Sequence, residues 1–355
     1  MRVGFVLEQC LSPVPGGTGR YSRELAGALV GTAPPGCLVV GVTAAHRRRA
    51  RVPGVPERRL PLGRRALVAA WERAGVPTVP GDLVHAPTPL APPRGRRPLI
   101  VTVHDAVPWT HPETLTPRGV AWHRAAVGRA ARTADLLVVP TRAVADELAR
   151  HLDVLAGVQV VGEGVSADLA LPADADDRAA RLGLPERYLL TVATLEPRKG
   201  LTPLLHALAD PAAPRLPLLC AGQPGWGGGD VPALGASLGV DVRVLGRVSD
   251  ADLAVLLDRA TALVVPSLSE GFGLPLLEGM AAGVPVLTTD APALVEVAGG
   301  AALHVPLAEL VAGLAAVVED TGLRARLRAA GPVRSAGFTW EAAARTLWTS
   351  YAALG

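Results

Sequence analysis

Lysine is almost absent from this 355-residue chain: of 35 Lys and Arg side chains, only Lys199 is a lysine. A chain that writes its generic surface cations as arginine and keeps one compact ammonium marks that position for chemistry rather than solubility. Aromatic residues make up 3% of the chain, too few to interleave with the arginines as a base-stacking surface, so nucleic acid is excluded as a partner. Cys10, Cys37 and Cys220 are far apart and lack ligand spacing. They read as buried thiols in a reducing, cytoplasmic compartment, and with no His/Cys cluster elsewhere no metal or other cofactor is expected. Long hydrophobic runs are also missing. Leu25 to Ala45 is uncharged, but Pro34-Pro35-Gly36 divides it into a helix end and a strand, Cys37 to Thr43, so no membrane span is expected. Met1 to Leu7 is too short for a signal peptide and reads as a first strand.

What is present is alternation. Strand-like runs at Val3 to Leu7, Leu38 to Thr43, Leu83 to His85, Leu99 to His104, Leu136 to Pro140 and Gln159 to Val161 are interleaved with helical stretches at Arg20 to Val30, Arg118 to Arg132 and Ala143 to His151. The pattern resumes at Tyr188, with strands near Leu218 to Ala221, Val242 to Leu245, Leu263 to Val265, Val286 to Thr288 and Leu303 to Val305. Such alternation predicts parallel sheets covered by helices, in two domains at this length. The break falls at Ser166 to Arg187, where Pro172 to Asp177 is polar and turn-rich. Residues 1–165 hold 21 basic and 12 acidic side chains, whereas the remainder holds 14 and 20. The excess lies at Arg47, Arg48, Arg49, Arg51, Arg58, Arg59, Arg64, Arg65, Arg94, Arg96 and Arg97. These arginines suit either peripheral contact with an anionic membrane face or an anionic acceptor, or else they are solvated loops.

The densest chemistry is the segment Pro266-Ser267-Leu268-Ser269-Glu270-Gly271-Phe272-Gly273-Leu274-Pro275-Leu276-Leu277-Glu278. It follows an apolar strand, frees the backbone at Gly271 and Gly273, and starts a helix at Pro275. The start of that helix would turn unpaired N–H groups and the positive end of its dipole toward a phosphate. Glu270 on the loop and Glu278 about one turn into the helix would then accept hydrogen bonds from sugar and ribose hydroxyls. Lys199, in Leu195-Glu196-Pro197-Arg198-Lys199-Gly200 after the strand from Tyr188, is placed to meet a diphosphate, with Arg198 as a neighbouring fork.

On these residues the chain resembles the retaining glycosyltransferases of family 4, whose signature sets two glutamates eight residues apart after Pro-Ser and around Gly-Phe-Gly. The resemblance implies an α/β GT-B fold: two Rossmann-like parallel-sheet domains facing a central cleft, at 1–165 on the acceptor side and 166–337 on the nucleotide-sugar side. A helix at 338–355 would cross back to the first. It implies Glu270 and the Gly271, Phe272, Gly273 and Leu274 backbone at the donor sugar, Glu278 on the ribose, and Lys199 with Arg198 on the diphosphate. The arginine that many members carry before this turn is replaced, since Ala193-Thr194 stands there. Metal-independent transfer of a hexose, with retention, to a hydroxyl acceptor follows from the resemblance; GDP-mannose is the first guess for donor, and an anionic or lipid-linked molecule for acceptor.

Other positions join through the same likeness. Pro15-Gly16-Gly17-Thr18-Gly19-Arg20-Tyr21 opens a helix after the first strand and lets backbone approach a phosphate or acceptor. His104 ends a strand at the carboxyl edge and would meet the donor sugar, with His85 a second strand-end candidate. The turn Gly246 to Asp250 resembles the one beneath the nucleotide base; Arg247 and Val248 would lie there, while Asp250 is equally an ordinary helix N-cap. Two rival readings remain: a glycosidase using Glu270 and Glu278 as its carboxylate pair, and a non-catalytic partner of another transferase.

Overall fold

The computed structural model describes all 355 residues. They divide into two compact units, one of Met1–Pro112, Thr116–Gly164 and Thr339–Gly355, the other of Glu113–Leu115 and Val165–Phe338. The first holds seven parallel strands: β1 (Arg2–Val6), β2 (Leu38–Thr43), β3 (Glu57–Arg59), β4 (Leu83–Ala86), β5 (Leu99–Thr102), β6 (Leu136–Val139) and β7 (Gly157–Val160). They are ordered β3-β2-β1-β4-β5-β6-β7. The second holds β8 (Leu189–Val192), β9 (Leu218–Ala221), β10 (Val242–Gly246), β11 (Ala262–Val265), β12 (Val286–Thr289) and β13 (Leu303–Val305), ordered β10-β9-β8-β11-β12-β13.

Helices cover both faces of these sheets, so the central strands are written as continuous apolar runs, Leu-Ile-Val-Thr in β5 and Ala-Leu-Val-Val in β11, with every residue buried. Strand order reverses between β1 and β4 in one unit and between β8 and β11 in the other. Loops leaving the carboxyl ends at such a point diverge and open a ligand crevice.

The C-terminal helix Trp340–Leu354 belongs to the first unit. Trp348 Nε1 donates to the Leu29 carbonyl at 3.0 Å, and the Tyr351 hydroxyl lies 2.5 Å from His85 Nδ1. His85 Nε2 contacts Thr102 Oγ1 at 2.9 Å. His85 is therefore a fully buried structural histidine on β4 rather than a ligand-facing strand end.

Other expectations also change. Arg58 and Arg59 lie on edge strand β3, and Arg64 and Arg65 open the helix Arg64–Arg73; the three charged residues of β3 carry no apolar pattern that would mark a strand. The polar break contains the helix Ala175–Leu182, whose Arg178 is bonded to Asp174 and Asp252. Ser249, not Asp250, caps the helix Asp250–Arg259, its side chain accepting from Asp252 N. Cys220 is buried, whereas Cys10 and Cys37 are only half-buried. No helix is long and apolar enough to cross a membrane.

Burial, with the nearby His104, pushes the His85 imidazole down to about 3 from its ordinary 6.5. The unfolded chain thus binds the extra proton between those values, and the stability His85 contributes is intact above pH 6.5 and lost as pH falls toward 3. Tyr351→Phe removes the Nδ1 partner and is expected to lower the unfolding free energy at pH 7 by about 1–3 kcal/mol. Urea melts would check this, and an unchanged midpoint would show that the buried bond contributes nothing.

Candidate functional site

The switch point of the second unit brings the two signature segments together. After β8 the chain makes a short turn, Pro197–Lys199, and after β11 it runs through Pro266 to Gly273. The two loops touch backbone to backbone: Leu268 N donates to the Arg198 carbonyl at 2.8 Å. Gly200 has φ +67°, and a Cβ there would stand 1.9 Å from the Pro266 carbonyl oxygen. Only glycine gives both that conformation and that approach.

This contact delivers three charges to one place. Lys199 Nζ donates to Glu270 Oε1, and Arg198 Nη1 donates to Glu270 Oε2 at 3.3 Å. Ser267 Oγ adds a hydrogen bond to Oε1 at 2.8 Å. The Ser267 carbonyl in turn accepts from Thr289 Oγ1, at the end of β12, at 2.5 Å. Arg198 also reaches Glu196 at 3.3 Å. The side chains of Glu270 and Lys199 are 8% and 12% exposed, so this cluster is largely withdrawn from water. Burial raises the Glu270 carboxyl, but Lys199 and Arg198 outweigh it and hold the group at about 2. Burial and the like charge of Arg198 push the Lys199 ammonium down, against the pull of Glu270.

The sequence reading gave the cations to a diphosphate and Glu270 to a sugar; the structure joins all three in one ion cluster. Ser267 and Thr289 were missed as supports. The Pro-Ser preceding Glu270 was the available signal for the first, and nothing local pointed to the second. Gly273, at φ +90°, precedes the helix Leu274–Ala281, on which Glu278 is 5% exposed. Gly271 and Leu274 are buried. The Phe272 ring is also buried, packed edge to face on Phe338 at 5.6 Å, so its side chain anchors the loop and only its backbone is available for a ligand. Arg247 is exposed and Val248 half-buried on the turn after β10, two strands away from β8.

In the first unit, Gly16 and Gly17 are the exposed opening residues of the helix Gly16–Gly31, with Gln9 Nε2 holding the Pro15 carbonyl at 3.1 Å. His104 follows β5; its Nε2 is 2.8 Å from the Pro87 carbonyl and its Nδ1 is 3.6 Å from Glu163 Oε1. Glu163 was missed, because an isolated glutamate in a loop carries no pattern.

The arginines are not simply solvated loops. Arg59 bonds the Arg48 carbonyl at 3.1 Å, and Arg94 pairs with Asp135 at 2.7 Å. Arg94, Arg96 and Arg97 border a cavity of about 390 Å³ with Val79, Val84 and Leu99, at the amino ends of β4 and β5. Two Asp-x-Asp spacings, Asp174 with Asp176 and Asp250 with Asp252, are each engaged by arginine: Asp174 and Asp252 pair with Arg178, and Asp176 with Arg259.

Comparison with known proteins follows the two units. Residues 15–169 match the family described as Glycosyltransferase Family 4, and residues 173–334 match Glycosyl transferases group 1. Among curated relatives, the O-antigen chain mannosyltransferase B of Escherichia coli is 37% identical over 163 residues, covering 43% of this chain and 42% of that protein. A D-inositol 3-phosphate glycosyltransferase of Frankia alni is 35% identical over 222 residues, covering 55% and 52%. The chain spans about half the length of the curated relatives it matches. Among solved structures, sucrose-phosphate synthase from Thermosynechococcus elongatus superposes with a TM-score of 0.82 at 20% identity, covering 100% of this chain and 99% of that one. Anabaena HepE in complex with UDP and glucose gives 0.76 at 20% identity, covering both chains completely.

Glu270 titrates in the folded chain below its ordinary 4.5. Its stabilisation is therefore full above pH 4.5 and is lost as pH falls through 2. Glu270→Gln takes the carboxylate from Lys199 and leaves Arg198 with Glu196 alone, and is expected to lower stability at pH 7 by roughly 3 kcal/mol, with the deficit shrinking near pH 2. Calorimetric melts at the two pH values would read this; an equal deficit at both would mean that the ion cluster is not what stabilises the loop.

Proposed function

We propose that this chain, which belongs to the family 4 glycosyltransferases and carries the group 1 domain as its second half, moves a hexose from a nucleotide diphosphate sugar to a hydroxyl acceptor with retention of configuration. The observation that carries the reading is the convergence of Lys199 and Arg198 on Glu270 at the β8/β11 switch point. Diphosphate oxygens compete with the carboxylate for the same two cations. As the donor binds, phosphate takes the ammonium and guanidinium, and Glu270 turns to the hydroxyls of the sugar. Positive charge is then fixed where the leaving diphosphate develops its own negative charge, the largest electrostatic contribution expected in such a site. Glu278 accepts from the ribose, the Gly271 to Leu274 backbone borders the sugar, Arg247 and Val248 lie under the base, and Gly16 and Gly17 admit a phosphate or acceptor closely. His104 lends positive charge to the departing diphosphate.

The O-antigen chain mannosyltransferase among the relatives favours mannose, hence GDP-mannose, as donor. The inositol phosphate enzymes favour an anionic acceptor, which the exposed Arg47, Arg48 and Arg49 suit by charge, as they would an anionic membrane face. A glycosidase would need a carboxylic acid with a raised pKa beside an ionised carboxylate. Glu270, held at about 2, cannot be that acid, and hydrolysis would leave Lys199 and Arg198, both bonded to it, without a role.

Thermal shift with a panel of sugar nucleotides tests the donor, since a ligand bound only by the folded state raises Tm. GDP-mannose is expected to give the largest rise, and no rise with any sugar nucleotide would overturn the reading. Turnover, followed as nucleoside diphosphate release, is expected to be the same in EDTA as in magnesium, because protein cations face the diphosphate; loss in EDTA restored by magnesium or manganese would reassign that charge. Lys199→Arg keeps the sign but not the point geometry. It is expected to reduce kcat by about tenfold or more with donor KM little changed, and Lys199→Ala further. Wild-type turnover in Lys199→Arg would show that position 199 needs only charge.

A further inference from the structure

His85 lies within β4 and His104 just after the adjacent strand β5, yet their surroundings differ in kind. His85 meets two hydroxyls, of Tyr351 and Thr102, which can donate or accept and so accommodate a neutral ring. His104 meets only acceptors: the Pro87 carbonyl at Nε2 and the Glu163 carboxylate at Nδ1. A neutral imidazole carries one N–H, and whichever nitrogen lacked it would turn a lone pair toward an oxygen. The Tyr21 ring packs edge-on against His104 at 4.6 Å and fixes its plane. Glu163 is itself held. It is 5% exposed, and the next residue, Gly164, lies so close to the returning chain that a Cβ there would stand 2.3 Å from Trp340 N. The titratable groups facing His104 are therefore Glu163 after β7, Asp105 beside it, Tyr21 from the helix Gly16–Gly31 and His85 from β4.

We propose that Glu163 is the positioning residue for His104: together with the Pro87 carbonyl it engages both ring N–H groups and keeps them protonated, so that His104 serves the reaction as a fixed positive charge and never as a base. This rests on the role given to His104 above. The direction of its titration agrees: burial lowers it, but Glu163, the Pro87 carbonyl and Asp105 outweigh burial and raise it above 6.5. No proton is transferred, and the group leaves the reaction as it entered.

The test is Glu163→Gln in the full chain, read in two ways. Imidazole NMR, assigned with His104→Gln, should show His104 titrating above 6.5 in the wild type and below it in Glu163→Gln. The pH profile should then divide at those two measured titration points. Between them, where only the wild-type ring is charged, kcat is expected to fall by about tenfold with donor KM within about twofold. Below both, kcat should return toward wild type, and Glu163→Asp should restore much of the loss between them. A merely structural glutamate would lower activity equally across the whole range, which would overturn the proposal. An unmoved His104 titration would overturn it as well. A shifted titration with kcat unchanged at every pH would overturn the catalytic half and would fault the role assigned to His104, not its pairing with Glu163.

Discussion

The ion cluster of Lys199, Arg198 and Glu270 sets the terms for the rest of the second unit. Withdrawing a carboxylate and an ammonium from water costs several kcal/mol for each ion, on the order of what a good buried pair returns. The cluster persists because its geometry is over-determined. Ser267 and both cations hold the two oxygens of Glu270, Thr289 holds the Ser267 carbonyl, and the Leu268 to Arg198 backbone bond fixes the loops to one another. Gly200 permits that contact and no residue with a side chain would. The same arrangement that keeps the loop rigid keeps two positive charges at the carboxyl end of the central strands, where an anionic ligand gains most from them.

The first unit applies the same physics with the opposite sign. Its polar core runs from Tyr351 through His85 to Thr102 and on to Tyr21, whose hydroxyl lies 3.2 Å from the Thr102 hydroxyl. All of these are neutral partners, so burial wins and the imidazole of His85 stays uncharged. One strand over, a carbonyl and a carboxylate replace hydroxyls, and His104 goes the other way. Two histidines of one sheet thus titrate in opposite directions because of what neighbouring segments contribute, and the C-terminal helix supplies part of that environment by bringing Tyr351 to β4.

The surplus of arginine in the first half is a weaker guide than its number suggests. Arg59, Arg64, Arg94 and Arg97 spend hydrogen bonds on carbonyls or carboxylates of their own unit. Others, among them Arg47, Arg48, Arg49 and Arg96, remain exposed. Exposed charges of this type contribute little to stability.

The alternation of apolar runs with amphipathic stretches was sufficient, by itself, to determine two parallel α/β sheets, because strands buried on both faces must be written as continuous hydrophobic segments. Glu270, Lys199 and their flanking glycines were legible for a related reason: a strand end, a glycine turn and a helix start are encoded within a few residues. The edge strand Glu57–Arg59 and the helix Ala175–Leu182 were not, since short charged segments take their structure from what they pack against. What the tertiary structure alone decided was partnership and charge. Lys199 and Glu270 are 71 residues apart, His85 and Tyr351 are 266 apart, and His104 depends on Glu163 in a different loop. The protonation of a buried group is set by desolvation and by the nearest charges, and the chain supplies both only once distant strands lie side by side.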